Sequence, residues 1–96
     1  MHAAKTDRNQ KEIVEALRNA GFSVQCLSTV GKGFPDLLVG VDGRNYLIEI
    51  KDGLKSKLNK DQVIWHKGWK GQKCVIHNMG ELKMFFAGAT FDEEVK

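Results

Sequence analysis

Apolar and polar positions along this chain recur with two periods, and the switches between them mark its elements. From Thr6 to Ala20, the residues Ile13, Val14, Leu17 and Ala20 fall at helical spacing, which predicts a first helix. Thr6 is placed to cap its start and Gly21 stands where a left-handed residue would end it. Ser23 to Thr29 alternates instead, with Val24, Cys26 (or Leu27) and Val30 apolar, and runs into Gly31-Lys32-Gly33; this reads as a strand with room for an irregularity. Asp36 to Val41 (DLLVGV) and Arg44 to Lys51 (RNYLIEIK) are β-prone runs joined by Asp42-Gly43, a strong signal for a two-residue hairpin turn because both central residues must take positive φ. After a polar, lysine-rich loop over Asp52 to Leu58, LNKDQV carries a capping box: Asn59 is the N-cap, Gln62 the third helical position, and Leu58 and Val63 suit a hydrophobic staple. A second helix should therefore begin near Lys60 and stop around Gly68. Lys73 to His77 (KCVIH) predicts a short last strand, Asn78 to Ala87 a short helix capped by Asn78, and the acidic stretch from Thr90 a frayed tail. Helix, three strands, helix, strand, helix, without internal repeat, predicts an α/β fold with one mixed sheet flanked by helices.

Length narrows this further, since 96 residues suffice for one modest core, so residues 1–96 are expected to form a single domain. The apolar fraction of 42% is ordinary, and no stretch approaches the roughly 18 apolar residues of a membrane span. The opening MHAAKTDRNQ offers no apolar run for a signal peptide, which points to the cytoplasm. Cys26 and Cys74, without metal-type spacing, read as buried free thiols. Net charge is only +3, but from Lys51 to Lys73 seven lysines stand against two acids, Asp52 and Asp61. A local lysine field suits a phosphate polymer such as DNA, although a solvated helix face would show the same composition.

The hairpin turn fixes a register, and the register gathers chemistry. Val41 faces Arg44, and counting outwards Asp36 faces Glu49. Facing residues of an antiparallel pair share one side of the sheet with Cβ atoms about 4.5–5.5 Å apart, and Lys51, two positions beyond Glu49, points the same way. Two carboxylates at that separation repel by roughly 3 kcal/mol at an effective dielectric near 20. Against a total stability of about 5–14 kcal/mol, that asks for a positive partner. Lys51 offsets part of it and a hard divalent cation with oxygen ligands offsets more. Leu37, Val39, Ile48 and Ile50 fall on the opposite face, so the charged residues interrupt strands that would otherwise serve only the core. A cation held by Asp36 and Glu49 suits phosphodiester hydrolysis, with Lys51 orienting or deprotonating the attacking water or stabilising the charge of the transition state. An ordinary salt-bridged cluster is the competing account.

PDLLVG (35–40) followed by LIEIK (47–51) resembles the PD-(D/E)xK nuclease signature. With NQKEIVEALRNAGF, GKGFPDLLVG, YLIEIKDG and DQVIWHKGW in that order, the chain is similar to stand-alone, phage-type VRR-NUC domains from about Asp7 to His77. That resemblance implies a restriction-endonuclease-like core and Mg²⁺ or Mn²⁺ bound by Asp36, Glu49 and the backbone carbonyl of Ile50. It implies Lys51 as the catalytic lysine and Gln62 as the helix glutamine near the site. It further implies a homodimer resembling Holliday-junction resolvases, cutting branched DNA such as a four-way junction or flap, with no organic cofactor. Related resolvases carry a first-helix glutamate as a further metal-site ligand; here the aligned position is Gln10, with Glu12 nearby as a substitute. A sequence-specific restriction-type endonuclease is the alternative enzyme, though the chain has little spare length for recognition loops. A non-catalytic DNA-binding module is the alternative outside enzymology, and it would be expected to have lost one of Asp36, Glu49 and Lys51.

Four further residues are candidate DNA contacts: Lys32, Lys55, Lys57 and His66, the last on one helix face with Gln62 and Trp69. Trp65 and Trp69 are able to stack on bases but are expected in the core or a dimer contact. Gly31 and Gly33 fit either close approach of a DNA backbone or simple turn geometry.

Overall fold

Asp42 and Gly43 take φ of 53° and 76°, the two positive values of a type I′ turn, and from this hairpin the sheet is built. The computed structural model describes residues 8–53 and 55–88; Thr6 and the tail from Thr90 lie outside the described residues. The elements are α1 (Arg8–Asn19), β1 (Ser23–Cys26), β2 (Leu37–Val41), β3 (Arg44–Ile50), α2 (Lys60–Gly68), β4 (Lys73–Ile76) and α3 (Met79–Phe85). They follow the predicted order. The strands form one sheet in the order β1-β2-β3-β4, antiparallel except for the parallel pair β3–β4, which α2 connects. A parallel neighbour needs such a crossover, so α2 is carried to one face of the sheet.

The other face holds the core. Ile13, Val14 and Leu17 of α1 and Leu82 of α3 pack with Phe22 and Phe86 on Leu37, Val39, Ile48, Ile50 and Ile76. Helix α2 buries no residue fully. Its start is held instead by the predicted capping box: Asn59 Oδ1 accepts from the Gln62 amide and Gln62 Oε1 from the Asn59 amide, each at 2.9 Å. Asn78 likewise caps α3 through the Glu81 amide. The Glu81 carboxylate accepts from the His77 backbone and ring, and these hydrogen bonds hold its acidity above that of an ordinary glutamate.

Several expectations need correction. Strand β1 stops at Cys26 rather than continuing to Thr29, because Val30 N donates to Leu27 O and turns the chain. Cys26, expected buried, is exposed: it sits on the edge strand beside an open depression lined by Gln10, Lys11, Val14, Glu15 and Arg18. Cys74 is half-buried, and burial pushes its thiol pKa up to about 12. Alkylation at pH 8 should therefore modify Cys26 quickly and Cys74 slowly, giving one fast thiol per chain by mass spectrometry; two equal rates would contradict the packing around Cys74. Of the two places expected for Trp65 and Trp69, the core is not the one for Trp69, which is exposed; Trp65 is half-buried. Among the described residues no helix is long and apolar enough to cross a membrane.

Candidate functional site

The charged cluster is assembled by the hairpin and then closed by α2. The observed register pairs Val41 with Arg44 and ends at Leu37 with Ile48. The Asp36 amide also donates to Ile48 O, so the ladder is irregular where β2 begins, and the Asp36 carboxyl lies beside Glu49 there rather than by a regular facing pair. The two carboxyl groups are close enough to share a hydrogen bond when Glu49 is protonated. Glu49 is only 2% exposed. Burial first, then the charge of Asp36 and a hydrogen bond to it, raise its pKa to about 8, with Lys51 opposing. An acid normally ionised at neutral pH thus holds its proton there.

Gln62 links the parts. Its Nε2 donates to Glu49 Oε2 at 2.9 Å, and its Oε1, already serving the capping box, accepts from Lys51 Nζ at 3.2 Å. One side chain therefore fixes the start of α2, one acid and the lysine together. Lys51 is anchored through its backbone as well: its amide donates to Ile76 O, and Asn9 Nδ2 donates to the carbonyls of Lys51 and His77 at 3.1 and 3.2 Å. No role for Asn9 was read from the sequence, since the signal, an asparagine on the first turn of a helix, is common.

Asp36 also accepts from the Ile50 amide at 2.8 Å, in place of a ladder bond. The peptide amides of Leu47 and Lys51 are turned towards β4, so the peptide groups of Ile48 and Ile50 between them face β2. The Ile50 carbonyl belongs to the same residue whose amide meets Asp36, next to the two acids.

His66, expected among the DNA contacts, turns inward. Its side chain is 10% exposed and its Nε2 stands 4.0 Å from Glu49 Oε1. Burial and then the charge of Lys73 lower its pKa, so the ring is neutral at neutral pH and the pair is not an ion pair. Glu49 Oε1 and His66 Nε2 are both buried without a hydrogen-bond partner among the described residues. Two such atoms cost about 1–3 kcal/mol each when nothing satisfies them. Lys32, Lys55 and Lys57 are exposed. Gln10 lies on the packing face of α1, buried, whereas Glu12 points to solvent, so of the two only Gln10 is directed at the sheet. Gly33, with φ of 79°, is a close-approach glycine: a Cβ there would lie 2.4 Å from the Asp61 carbonyl oxygen. It admits the start of α2 rather than a DNA backbone.

The residues fit a small hard cation. Among the described residues no three His, Cys, Asp or Glu side chains converge as a metal cage, so an ion here would rest on Asp36, Glu49, the Ile50 carbonyl and water. That is the mode Mg²⁺ favours, with one or two carboxylates and several retained waters. The unpartnered Glu49 oxygen would be open to such an ion, which would have to displace the proton that the raised pKa holds there.

No protein-family model and no curated protein sequence matches the chain. A solved structure described as a VRR_NUC domain does: it is 26% identical, covers 88% of this chain and 97% of its own, and superposes with a TM-score of 0.74. The chain therefore has the fold of a VRR_NUC domain over most of its length, in agreement with the resemblance carried by PDLLVG and LIEIK.

Proposed function

We propose that this chain is a divalent-cation-dependent endonuclease that hydrolyses DNA phosphodiesters, selective for branched substrates such as a four-way junction or flap. The observation that carries the reading is Glu49: a glutamate 2% exposed, beside a second acid, with one oxygen unsatisfied and a lysine tethered next to it. A cluster serving only stability would not bury an unmatched carboxyl oxygen. The likeness to a VRR_NUC domain supports a nuclease-type domain independently.

Asp36, Glu49 and the Ile50 carbonyl would hold Mg²⁺ or Mn²⁺. When bound, the ion supplies Lewis acidity to a phosphoryl oxygen and acidifies an attacking water. Lys51 places a positive charge where phosphoryl oxygens gain negative charge, and Gln62 keeps that ammonium from swinging to solvent. Lys32, Lys55 and Lys57 offer exposed charge to the flanking phosphates. A homodimer would set two such sites about a two-fold axis, the symmetry of a four-way junction. Sequence-specific recognition fits less well, because β2 and β3 are joined by two residues and no long recognition loop interrupts the described elements.

The test incubates purified protein with linear duplex, flap and four-way-junction DNA in Mg²⁺, Mn²⁺ or EDTA. Cleavage of the branched forms should need the ion, and Lys51→Ala should lower its rate by about 10²-fold or more. Cleavage that ignores EDTA, or that Lys51→Ala leaves undiminished, would remove the mechanism.

A further inference from the structure

The end of α2 carries aromatic surface that neither the core nor the acid cluster uses. Trp65 and Trp69 are stacked, with ring centroids 5.0 Å apart and planes 15° from parallel. Phe34 closes edge-on against Trp65 at 5.3 Å, holding the inner ring in place. Trp69 is 40% exposed. The chain passes close to the indole edge of Trp69 at Gly71, where a Cβ would meet Nε1 at 2.8 Å. The ring is braced from beneath by Trp65 and left open.

The stack is continuous with the site. Trp65 also meets the His66 ring at 5.0 Å, and His66 is the residue facing Glu49. Trp69 thus lies two ring contacts beyond the acid cluster, a reach of about two to four nucleotides at the 3.4 Å spacing of stacked bases. Its surroundings are cationic. Lys67 and Lys70 are exposed on either side of it in sequence. Lys73, half-buried, pairs with Leu47 in the β3–β4 register and so points to the same sheet face as Glu49, near enough to His66 to depress its pKa. Between Val63 and Lys73 no acid offsets these charges.

An exposed, rigidly backed indole among lysines is the arrangement that binds single strands, where any base offers a π-face and lysines take the phosphates. Within a duplex the bases already stack on one another, so the platform has nothing to offer. We infer that Trp69, backed by Trp65 and flanked by Lys67, Lys70 and Lys73, is a subsite for an unpaired base of the DNA strand entering the acid cluster. This rests on the nuclease reading and deepens it: the substrate has unpaired nucleotides within a few positions of the scissile phosphate.

The experiment measures binding, not cleavage, in EDTA, by polarisation of labelled single-stranded, flap and blunt duplex DNA and by quenching of the intrinsic tryptophan fluorescence. Single-stranded and flap DNA should quench the tryptophans, and Trp69→Ala should cut the ratio of single-strand to duplex affinity by about 5- to 100-fold. Trp69→Phe, which keeps a π-face, should restore most of that ratio. Quenching of the wild-type protein needs no variant to fold. The inference is overturned by an unchanged ratio in Trp69→Ala, by single strands that bind without quenching, or by light scattering that shows Trp69→Ala only splitting a dimer. Absence of binding to every DNA form would sink the nuclease reading too, whereas duplex-only binding would sink the platform alone.

Discussion

Glu49→Gln should abolish cleavage, by about 10³-fold or more, while making the ion-free protein more stable at pH 8 than the parent. Both effects come from one proton. In the folded chain Glu49 titrates near 8, raised from 4.5 by burial and by Asp36. Between those values the folded state holds a proton that the unfolded state has released, so stability falls as pH rises through that window. The contribution is fully present below about pH 4.5 and gone above about pH 8. A shift from 4.5 to about 8 sets an upper bound of about 5 kcal/mol. Glutamine keeps the neutral hydrogen-bonding shape at every pH, so the variant should lose this fall.

Divalent cations should reverse the trend in the parent. The ion must displace the Glu49 proton, so its affinity should rise with pH up to about 8, and Mn²⁺ or Mg²⁺ should raise the melting temperature more at pH 8 than at pH 6. Glu49→Gln should show no such gain. Calorimetric melts of both proteins across pH 5–9, with EDTA and with each ion, check this without any activity measurement. Parallel pH profiles for the two proteins would show that Glu49 is not the residue holding the proton.

The second large effect falls on a residue that carries no chemistry. Gly33→Ala should destabilise the domain by about 2–4 kcal/mol, because a Cβ must be fitted both to a left-handed backbone and against the first turn of α2. The added atom would lie 2.4 Å from the Asp61 carbonyl oxygen and 2.9 Å from the Gln62 amide nitrogen, both backbone atoms that no rotamer change can clear. The helix start must move, and with it the Gln62 side chain that joins Glu49 to Lys51. Gly31→Ala is the matched control: its φ of 80° is equally left-handed, but no atom lies within 4 Å of the added Cβ. It should cost only the backbone strain, about 1 kcal/mol. For a domain of this size the two should separate by roughly 5–20 °C in melting temperature. Equal melting temperatures would mean that the loop and α2 are not in contact in solution.

Much of the architecture was legible because it is decided within a few residues. Asp42-Gly43 names its own turn, and the turn sets the register as far as Leu37 and Ile48, which was enough to bring Asp36, Glu49 and Lys51 to one end of the hairpin although Asp36 itself departs from the counted pairing. Asn59 with Gln62, and Asn78, announce helix starts because the caps bond to amides two or three residues on. Errors arose where the deciding contact is distant. His66 shares a helix face with Gln62 in the sequence, but only the laying of α2 across the charged face of the sheet turns it inward to Glu49 and away from the DNA contact expected of it. Cys26 sits on the correct side of its strand and is exposed all the same, since its strand is the sheet edge.

By itself, then, the amino-acid order determined the elements, the hairpin register and the gathering of two acids and a lysine, all products of short-range backbone geometry. Only the tertiary structure decided how deeply Glu49 is buried, that Gln62 joins it to Lys51, and that Trp69 stays out of the core. Those outcomes depend on where one helix is laid over a sheet, a balance of burial and hydrogen bonding between segments far apart in the chain, and no local pattern records it.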